Sequence, residues 1–390
     1  MIPSLPAERA ADRPFDPPPA LGALPPLSRM RYPDGHEGWL ATGHAVVRDV
    51  LADRRFSSRT DLRHIPIEGL NGSTDPAPPG ALISLDPPDH TRYRRLLAGK
   101  FTTRRMRLLS DRVRAFTEER LDAMAEQDGP VDLVAALAFP VPAQMIGELL
   151  GVPQHERAEF EEQSAPLFRL GATRDELQAT SAVLFAYLTG LVARKREDPT
   201  DDLLSDLVHT DLTDQELVMI AFLLLGAGLD TTSNMIGMGA FALLVNPDQL
   251  ALLRAEPGSV TGAVEELMRY LSVVPVLVRT ALEDVELHGE TVKAGEAVTV
   301  SIPAANHDPA KFPDPDRLDL RRNANGHVGF GHGIHQCLGQ QLARVELEVV
   351  LSALFSRFPD LRLAVPPEQV PLRTDMVVYG VHELPVDWKD

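Results

Sequence analysis

The chain is 390 residues long with 44% hydrophobic and 24% charged residues, a globular composition and ample length for a large buried core. Its 38 Lys and Arg stand against 56 Asp and Glu, and the resulting charge of −18 repels phosphate backbones and anionic lipid, excluding a basic nucleic-acid binder. A single cysteine, Cys337, excludes an internal disulfide, a Cys-based zinc cluster and a self-held iron–sulfur cluster, and points to a reducing cytoplasm.

Nine of the 33 prolines fall within the first 33 residues, so residues 1–35 read as a Pro-rich, extended lead-in. No basic start is followed by an apolar run there, and no secretory signal is expected. Apolar residues at three- and four-residue spacings predict amphipathic helices over 42–53 and 90–126. The Pro-, Gly- and Asp-rich stretch 57–88 between them is too irregular for a helix and too long for a plain connection. Further helical patterns cover roughly 142–150, 154–169, 173–197, 213–255 and 259–271. The longest apolar run, 218–229, ends at Asp230, short of the ~20 residues that a bilayer crossing needs, so no membrane span is expected. The period then shortens: residues 285–292 alternate around Gly289 and 298–302 follow, predicting a small antiparallel sheet. A helix over 338–358 and a strand-and-turn tail complete a mainly α chain without repeats or a G-x-G-x-x-G fingerprint.

Two segments carry chemistry. In Phe330-Gly331-His332-Gly333-Ile334-His335-Gln336-Cys337-Leu338-Gly339 the only thiol lies between a glycine-rich loop and a long amphipathic helix. The N–H groups and dipole of a helix N-terminus favour a thiolate, Gly331 and Gly333 permit left-handed turns, and Gly339 leaves room for a flat or bulky neighbour. A lone cysteine is more often a small inert core residue. A Cys–His nucleophile or a metal site using His332 and His335 is a third reading, although no second thiolate or H-E-x-x-H pattern completes it.

In the other segment, the apolar run over 218–225 gives way to Gly226-Ala227-Gly228-Leu229-Asp230-Thr231-Thr232-Ser233-Asn234 before Ile236, Phe241 and Leu244 resume the pattern. Asp230 reads either as the N-cap of a new helix after a glycine break or as a polar lesion in one long buried helix. An unpaired carboxylate buried there would cost several kcal/mol, so the second reading demands a partner or a task. Ala227 and Gly228 would let a ligand approach the backbone.

The stretch from Phe330 to Gly339 resembles the haem-binding signature of the cytochrome P-450 superfamily, and further motifs follow the family's order from about residue 40 to Trp388. The resemblance implies a mainly α fold with a small antiparallel β region, one haem domain over residues 1–390, and haem b (iron protoporphyrin IX) as cofactor. By the same resemblance Cys337 is the axial iron ligand, its thiolate favouring O–O cleavage. Phe330, Gly331 and Gly339 belong to the haem loop, Ala227 and Gly228 lie against the haem, and His90, Arg94, Arg279 and His335 face its propionates. The segment Ala227 to Thr231 resembles the oxygen-activating motif, with Thr231 hydrogen-bonding the activated dioxygen and Asp230 relaying protons.

Glu266 and Arg269, three apart on one helix face, are in isolation an ordinary surface pair worth ~0 to 1 kcal/mol. They resemble the family's Glu-x-x-Arg motif, with Arg317 as third member of a structural network. Leu318 and His307 stand where many relatives carry Phe and Arg.

The implied reaction inserts one atom of O2 into an apolar organic substrate by hydroxylation or epoxidation, the other atom leaving as water. With no dinucleotide fingerprint of its own, the chain needs external electron donors, and the resemblance points to a ferredoxin and a ferredoxin reductase. The tail over 377–386 is similar to actinobacterial enzymes that oxidise polyketides, terpenoids and xenobiotics. Substrate contacts are expected at Leu82, Ile83, Ala227, Val274, Val276, Val377 and Val378, although each would sit equally well in a plain core. Seven Lys and Arg lie between residues 90 and 107 with no acid among them. They form either a solvated face with two propionate contacts or a docking patch for an acidic electron carrier, centred on Arg104 and Arg105. A haem-thiolate sensor would share Cys337 without needing Asp230 and Thr231, and a cysteine-nucleophile hydrolase would bind no haem.

Overall fold

The structure, a computed structural model, describes residues 2–10, 12–68, 75–100, 103–164, 173–374 and 376–389. In chain order its helices are α1 Pro19–Gly22, α2 His44–Ala52, α3 Asp89–Ala98, α4 Thr103–Ala125, α5 Pro140–Leu150, α6 Arg157–Ser164, α7 Arg174–Glu197, α8 Leu203–Leu207, α9 Asp214–Val245, α10 Pro247–Ala255, α11 Val260–Leu271, α12 Ile302–Asn306 and α13 Gln340–Arg357. Its strands are β1 Leu27–Arg31, β2 Glu37–Ala41, β3 Phe56–Ser57, β4 Val131–Asp132, β5 Val276–Ala281, β6 Val285–Leu287, β7 Glu290–Val292, β8 Ala297–Ser301, β9 Arg362–Leu363 and β10 Pro385–Asp387. Two compact units emerge: one from Met1–Ala77, Ile83–Pro88 and Val245–Leu338, the other from Pro78–Leu82, Asp89–Leu244 and Gly339–Asp390.

The first unit is built on a five-stranded sheet in the order β1-β2-β8-β5-β3. Val46, Val47, Val50 and Leu51 recur at helical spacing along α2 and bury that face with Trp39, Val298 and Val300 of the sheet. The structure refines one expectation here and corrects another. Within the mostly extended lead-in, the four-residue α1 is the one helical departure among the described residues, and β1, itself extended, pairs antiparallel with β2. The alternating segment over 285–292 closes on itself as the hairpin β6–β7, turning at His288 and Gly289 with φ of 49° and 90°. β8 instead lies antiparallel to β5 and parallel to β2, with Trp39 opposite Val298. Alternation in one strand reports which face is buried, whereas the partner is chosen by residues about 250 positions away, which local pattern cannot see.

The second unit is mostly helical, with α13 packed along α4 and a small antiparallel sheet ordered β4-β10-β9. α7 opens on a reciprocal cap between Thr173 and Glu176, and α9 on the equivalent pair Thr213 and Glu216. The helical pattern over 213–255 is two helices, because Pro247 lacks an N–H and clashes with the preceding turn; it opens α10 instead. The pattern over 90–126 is likewise α3 and α4. Of the pattern over 154–169, residues 157–164 form α6 and residues 165–169 lie outside the described residues. α13 starts at Gln340, with Gly339 as its N-cap residue.

α9 runs uninterrupted for 32 residues. By length and composition α9 and the Asp175–Glu197 part of α7 could each span a bilayer, a possibility that the run over 218–229 alone did not show. One ionised residue between Glu216 and Asp248 does not break so long an apolar helix. Half of the apolar window of α9 is buried inside the protein, as a core helix requires.

Candidate active site

In the first unit, the loop before α13 folds back so that the backbone N–H of Cys337 donates to the carbonyl of Phe330 at 2.8 Å. Gly331 and Gly333 take φ of 70° and 74°, the left-handed region that glycine adopts without strain. At Gly333 a Cβ would also run into the carbonyl oxygen of Leu51, so the loop rests directly on α2. At Gly339 an added Cβ would meet nothing within 4 Å. Phe330 is buried, while Cys337 is exposed and in no disulfide, which argues against the inert core cysteine.

His335 bonds the hydroxyl of Ser58 at 2.9 Å, and the Ser58 carbonyl accepts from Arg63 Nη2 at 2.7 Å. Arg279 on β5 is 7% exposed and donates to its neighbour's carbonyl at Val278. Burial pulls both guanidiniums down, Arg279 to about 10 with Arg63 adding repulsion. No described carboxylate lies within ion-pair distance of either, and Nε of Arg63 is buried without a partner. Asp86, held by Ser57 and the Ser58 N–H, attracts Arg279 only from beyond ion-pair distance, so two desolvated cations facing each other remain costly and this corner fits the carboxylates of a bound ligand, as haem propionates would supply. Sequence reasoning found Arg279 and His335 but missed Arg63 and Ser58, because the stretch 57–88 carries no period.

The Glu-x-x-Arg pair is wholly buried, each side chain 0% exposed, and is no surface bridge. Arg269 on α11 grips both carboxylate oxygens of Glu266 at 2.7 and 2.8 Å, and its Nη1 donates to the carbonyls of Asn306 and Pro315, each at 2.9 Å. The second cation on Glu266 is Arg322, at 3.1 Å, in place of the expected Arg317. Arg317 enters through its backbone carbonyl, because the chain turns back after it and brings Arg322 over the same carboxylate.

In the second unit, α9 passes straight through Asp230, so the N-cap reading fails. The lesion lies in the side chains. Thr231 Oγ1 bonds back to the carbonyl of Ala227 at 2.7 Å. Asp230 accepts from Arg373 Nη1 at 2.7 Å and from Asn234 Nδ2 at 3.0 Å, yet burial outweighs these partners and raises its pKa. Arg373 is 7% exposed, and its Nε and Nη2 are buried without partners. Gly380 explains how the tail reaches α9 so closely: a Cβ there would collide with Asn234. On α13, Glu346 is 3% exposed and hydrogen-bonded to Thr232, and burial lifts its pKa to about 8, leaving it neutral. Neither Arg373 nor Glu346 has a sequence signal beyond a charge near apolar residues.

On α3, His90 is buried and Arg94, one turn on, is half-buried. The basic run around them is not a bare cationic face. Arg92 and Tyr93 converge on Glu216 at 2.6 Å each, and their hydrogen bonds hold its pKa down to about 2 against the cost of burial. Arg104 meets Asp201 at 3.0 Å and Arg105 meets Asp206 at 2.8 Å. Acids from the segment before α9 and from its first turn therefore answer much of this charge, leaving Arg95 and Arg107 exposed. Among the expected substrate contacts, Leu82 is core at 3% exposure, whereas Ile83 and Val377 expose 53% and 55%. Val274, Val276, Val378 and Gly228 are half-buried and Ala227 is exposed.

The family model for cytochrome P450 matches residues 167–388. The chain is 48% identical to cytochrome P450 105C1 of a Streptomyces species over 96% of each chain. It is 45% identical to pentalenic acid synthase of Streptomyces avermitilis, over 96% of this chain and 95% of that one. A crystal structure of CYP105P1 in complex with filipin I superposes with a TM-score of 0.92 at 42% identity, covering 100% of this chain and 99% of the other. The chain thus belongs to the cytochrome P450 family and is a haem-binding monooxygenase that uses electrons from redox partners to insert one atom of O2 into an organic substrate.

Proposed function

We propose that the whole chain acts as one haem domain in the cytoplasm, with Cys337 as thiolate ligand of haem b and a ferredoxin with its reductase as the electron supply. Arg63, Arg279 and His335, with His90 and Arg94, hold the propionates, and Phe330, Gly331 and Gly339 shape the thiolate loop. When bound, haem supplies the iron at which dioxygen is activated. Asp230 holds and passes on protons, a task suited to a carboxyl whose pKa burial has moved toward neutrality. Thr231 turns its hydroxyl from the Ala227 carbonyl to dioxygen, and Ala227 and Gly228 keep the helix backbone approachable. The substrate is an apolar organic molecule, a polyketide, terpenoid or xenobiotic, met by Ile83, Val274, Val276, Val377 and Val378, with Leu82 packing behind. The relative named for pentalenic acid synthesis supports oxidation of a secondary metabolite.

One observation carries this reading: an exposed thiol on a glycine-shaped loop, linked through His335 and Ser58 to the half-buried Arg63, with the buried Arg279 near it and no described carboxylate within ion-pair distance of either guanidinium. The test is the spectrum of the reduced, carbon monoxide-treated protein. An intense red-shifted Soret band that disappears in Cys337→Ser is expected; its persistence in that variant refutes the assignment.

A further inference from the structure

Away from the residues assigned above, His307, Asp16 and Asp316 of the first unit offer one ligand atom each within 4.8 Å of one another. The three are far apart in sequence. Asp16 belongs to the proline-rich lead-in, His307 directly follows α12, and Asp316 lies in the turn before Arg317. They line a cavity of about 520 Å³ together with Arg13, Leu21 and Pro315.

The histidine is set up as a ligand. It is 6% exposed, and its Nδ1 lies 3.0 Å from the carbonyl of Pro303, so Nδ1 carries the proton and Nε2 carries the lone pair. That Nε2 is buried without a hydrogen-bond partner. A ring whose second nitrogen is tied to a backbone carbonyl is the usual arrangement of a metal-bound histidine, because the bond fixes tautomer and orientation. An orphaned buried nitrogen is otherwise a net cost, of about 1–3 kcal/mol.

The two carboxylates add to the case. Asp16 and Asp316 place two like-charged carboxylates on one cavity wall within 4.8 Å of the histidine's ligand atom, an arrangement that a bound cation would relieve. Arg13 answers Asp16 at 3.4 Å from a side chain that is 62% exposed, and Arg9, which donates to the Asp16 backbone carbonyl, and the Arg269 and Arg322 guanidiniums are the cations that face this corner. The supporting frame is rigid. Arg269 Nη1 holds the carbonyls of Asn306 and Pro315, the residues immediately before His307 and Asp316, each at 2.9 Å. One buried guanidinium thus fixes the spacing of two of the three donors.

We propose that His307 Nε2 and the carboxylates of Asp16 and Asp316 form a binding site for a divalent transition metal of the zinc type. One imidazole nitrogen and two carboxylate oxygens suit zinc better than calcium or magnesium, which prefer oxygen alone. Bonds of ~2.0–2.1 Å in a tetrahedron need donors about 3.4 Å apart, so the site closes by roughly an ångström on binding, and water takes the fourth position. Asp316 is exposed and able to make that movement. The bound ion pins the lead-in to the segments that carry the Arg269 network, a structural role separate from oxygen insertion.

The experiment uses the full-length, haem-loaded protein stripped with a chelator and titrated with zinc chloride, reading heat by calorimetry and zinc and iron by elemental analysis. One zinc per haem iron is expected, with a higher melting temperature when zinc is present and an unchanged haem spectrum. His307→Gln and Asp316→Asn should each weaken that binding at least ~10-fold and abolish the thermal shift. Asp316 is on the surface, so its variant folds even if the histidine variant does not. His64→Gln, which removes a half-buried histidine elsewhere in the first unit, should leave binding unchanged. The proposal is overturned by no zinc uptake, by equal affinity for calcium, by binding that survives Asp316→Asn, or by binding that is lost in His64→Gln.

Discussion

Two buried arginine–carboxylate pairs divide the labour of this molecule. Arg269 and Glu266 are completely enclosed, two-pronged, and joined by Arg322 and two carbonyls, so almost every hydrogen-bonding group has a partner. Arg373 and Asp230 meet through one nitrogen, leave two guanidinium nitrogens, Nε and Nη2, unanswered, and keep the carboxyl easier to protonate than usual. A saturated network has one stable arrangement and serves as a frame. An unsaturated one is left with donors that a moving proton, a water or a substrate group can use, which is what a proton-handling site requires.

Breaking the saturated pair should have the largest effect. Arg269→Met leaves Glu266 buried against Arg322 alone and removes the clamp on Asn306 and Pro315; a loss of about 3–5 kcal/mol in urea unfolding and failure to retain haem are expected. The unsaturated pair should respond in activity first. Asp230→Asn keeps the shape but cannot pass a proton, and turnover should fall ~10²–10⁴-fold while the haem spectrum is unchanged. In Arg373→Met, Asp230 loses the cation that lowers its pKa, so the limb of the pH–rate profile assigned to Asp230 should move to higher pH.

Glu346, a buried carboxyl without a guanidinium, sharpens the comparison through pH. Its folded pKa of about 8 lies above the ordinary 4.5, so the folded protein keeps a proton that the unfolded chain releases. Stability should therefore fall as pH rises through that window. Glu346→Gln should flatten the slope, matching the parent near pH ~4 and exceeding it by a few kcal/mol near pH ~9 in denaturation series. The smallest effect is expected at the exposed Arg104–Asp201 pair. Arg104→Gln should change stability by less than ~0.5 kcal/mol, and should alter the salt dependence of reduction by the redox partner less than Arg95→Gln or Arg107→Gln does.

Much of the site was legible before any coordinates. The glycine-flanked cysteine, the polar residues after 218–225 and the Glu-x-x-Arg spacing are local patterns, but only the structure showed one unbroken helix through Asp230 and the full burial of Glu266 and Arg269. Arg63, Arg322, Arg373 and Glu346 were not legible, since each matters only through a partner brought near by folding. The basic run over 90–107 shows the converse: its charge was read correctly, but the acids at Asp201, Asp206 and Glu216 that answer it come from about a hundred residues later.

The order of residues alone determined a mainly helical chain and the thiol's place in a turn-forming loop, because these follow from periodicity and backbone freedom within a few turns, while the continuous helix through Asp230 was settled only by the fold. Folding decided the rest: the parallel contact of β2 with β8, the identity of each arginine's carboxylate, and the meeting of Asp16, His307 and Asp316. Charge pairing, burial and strand partnership are interactions through space, and only the folded chain says which distant residues share it.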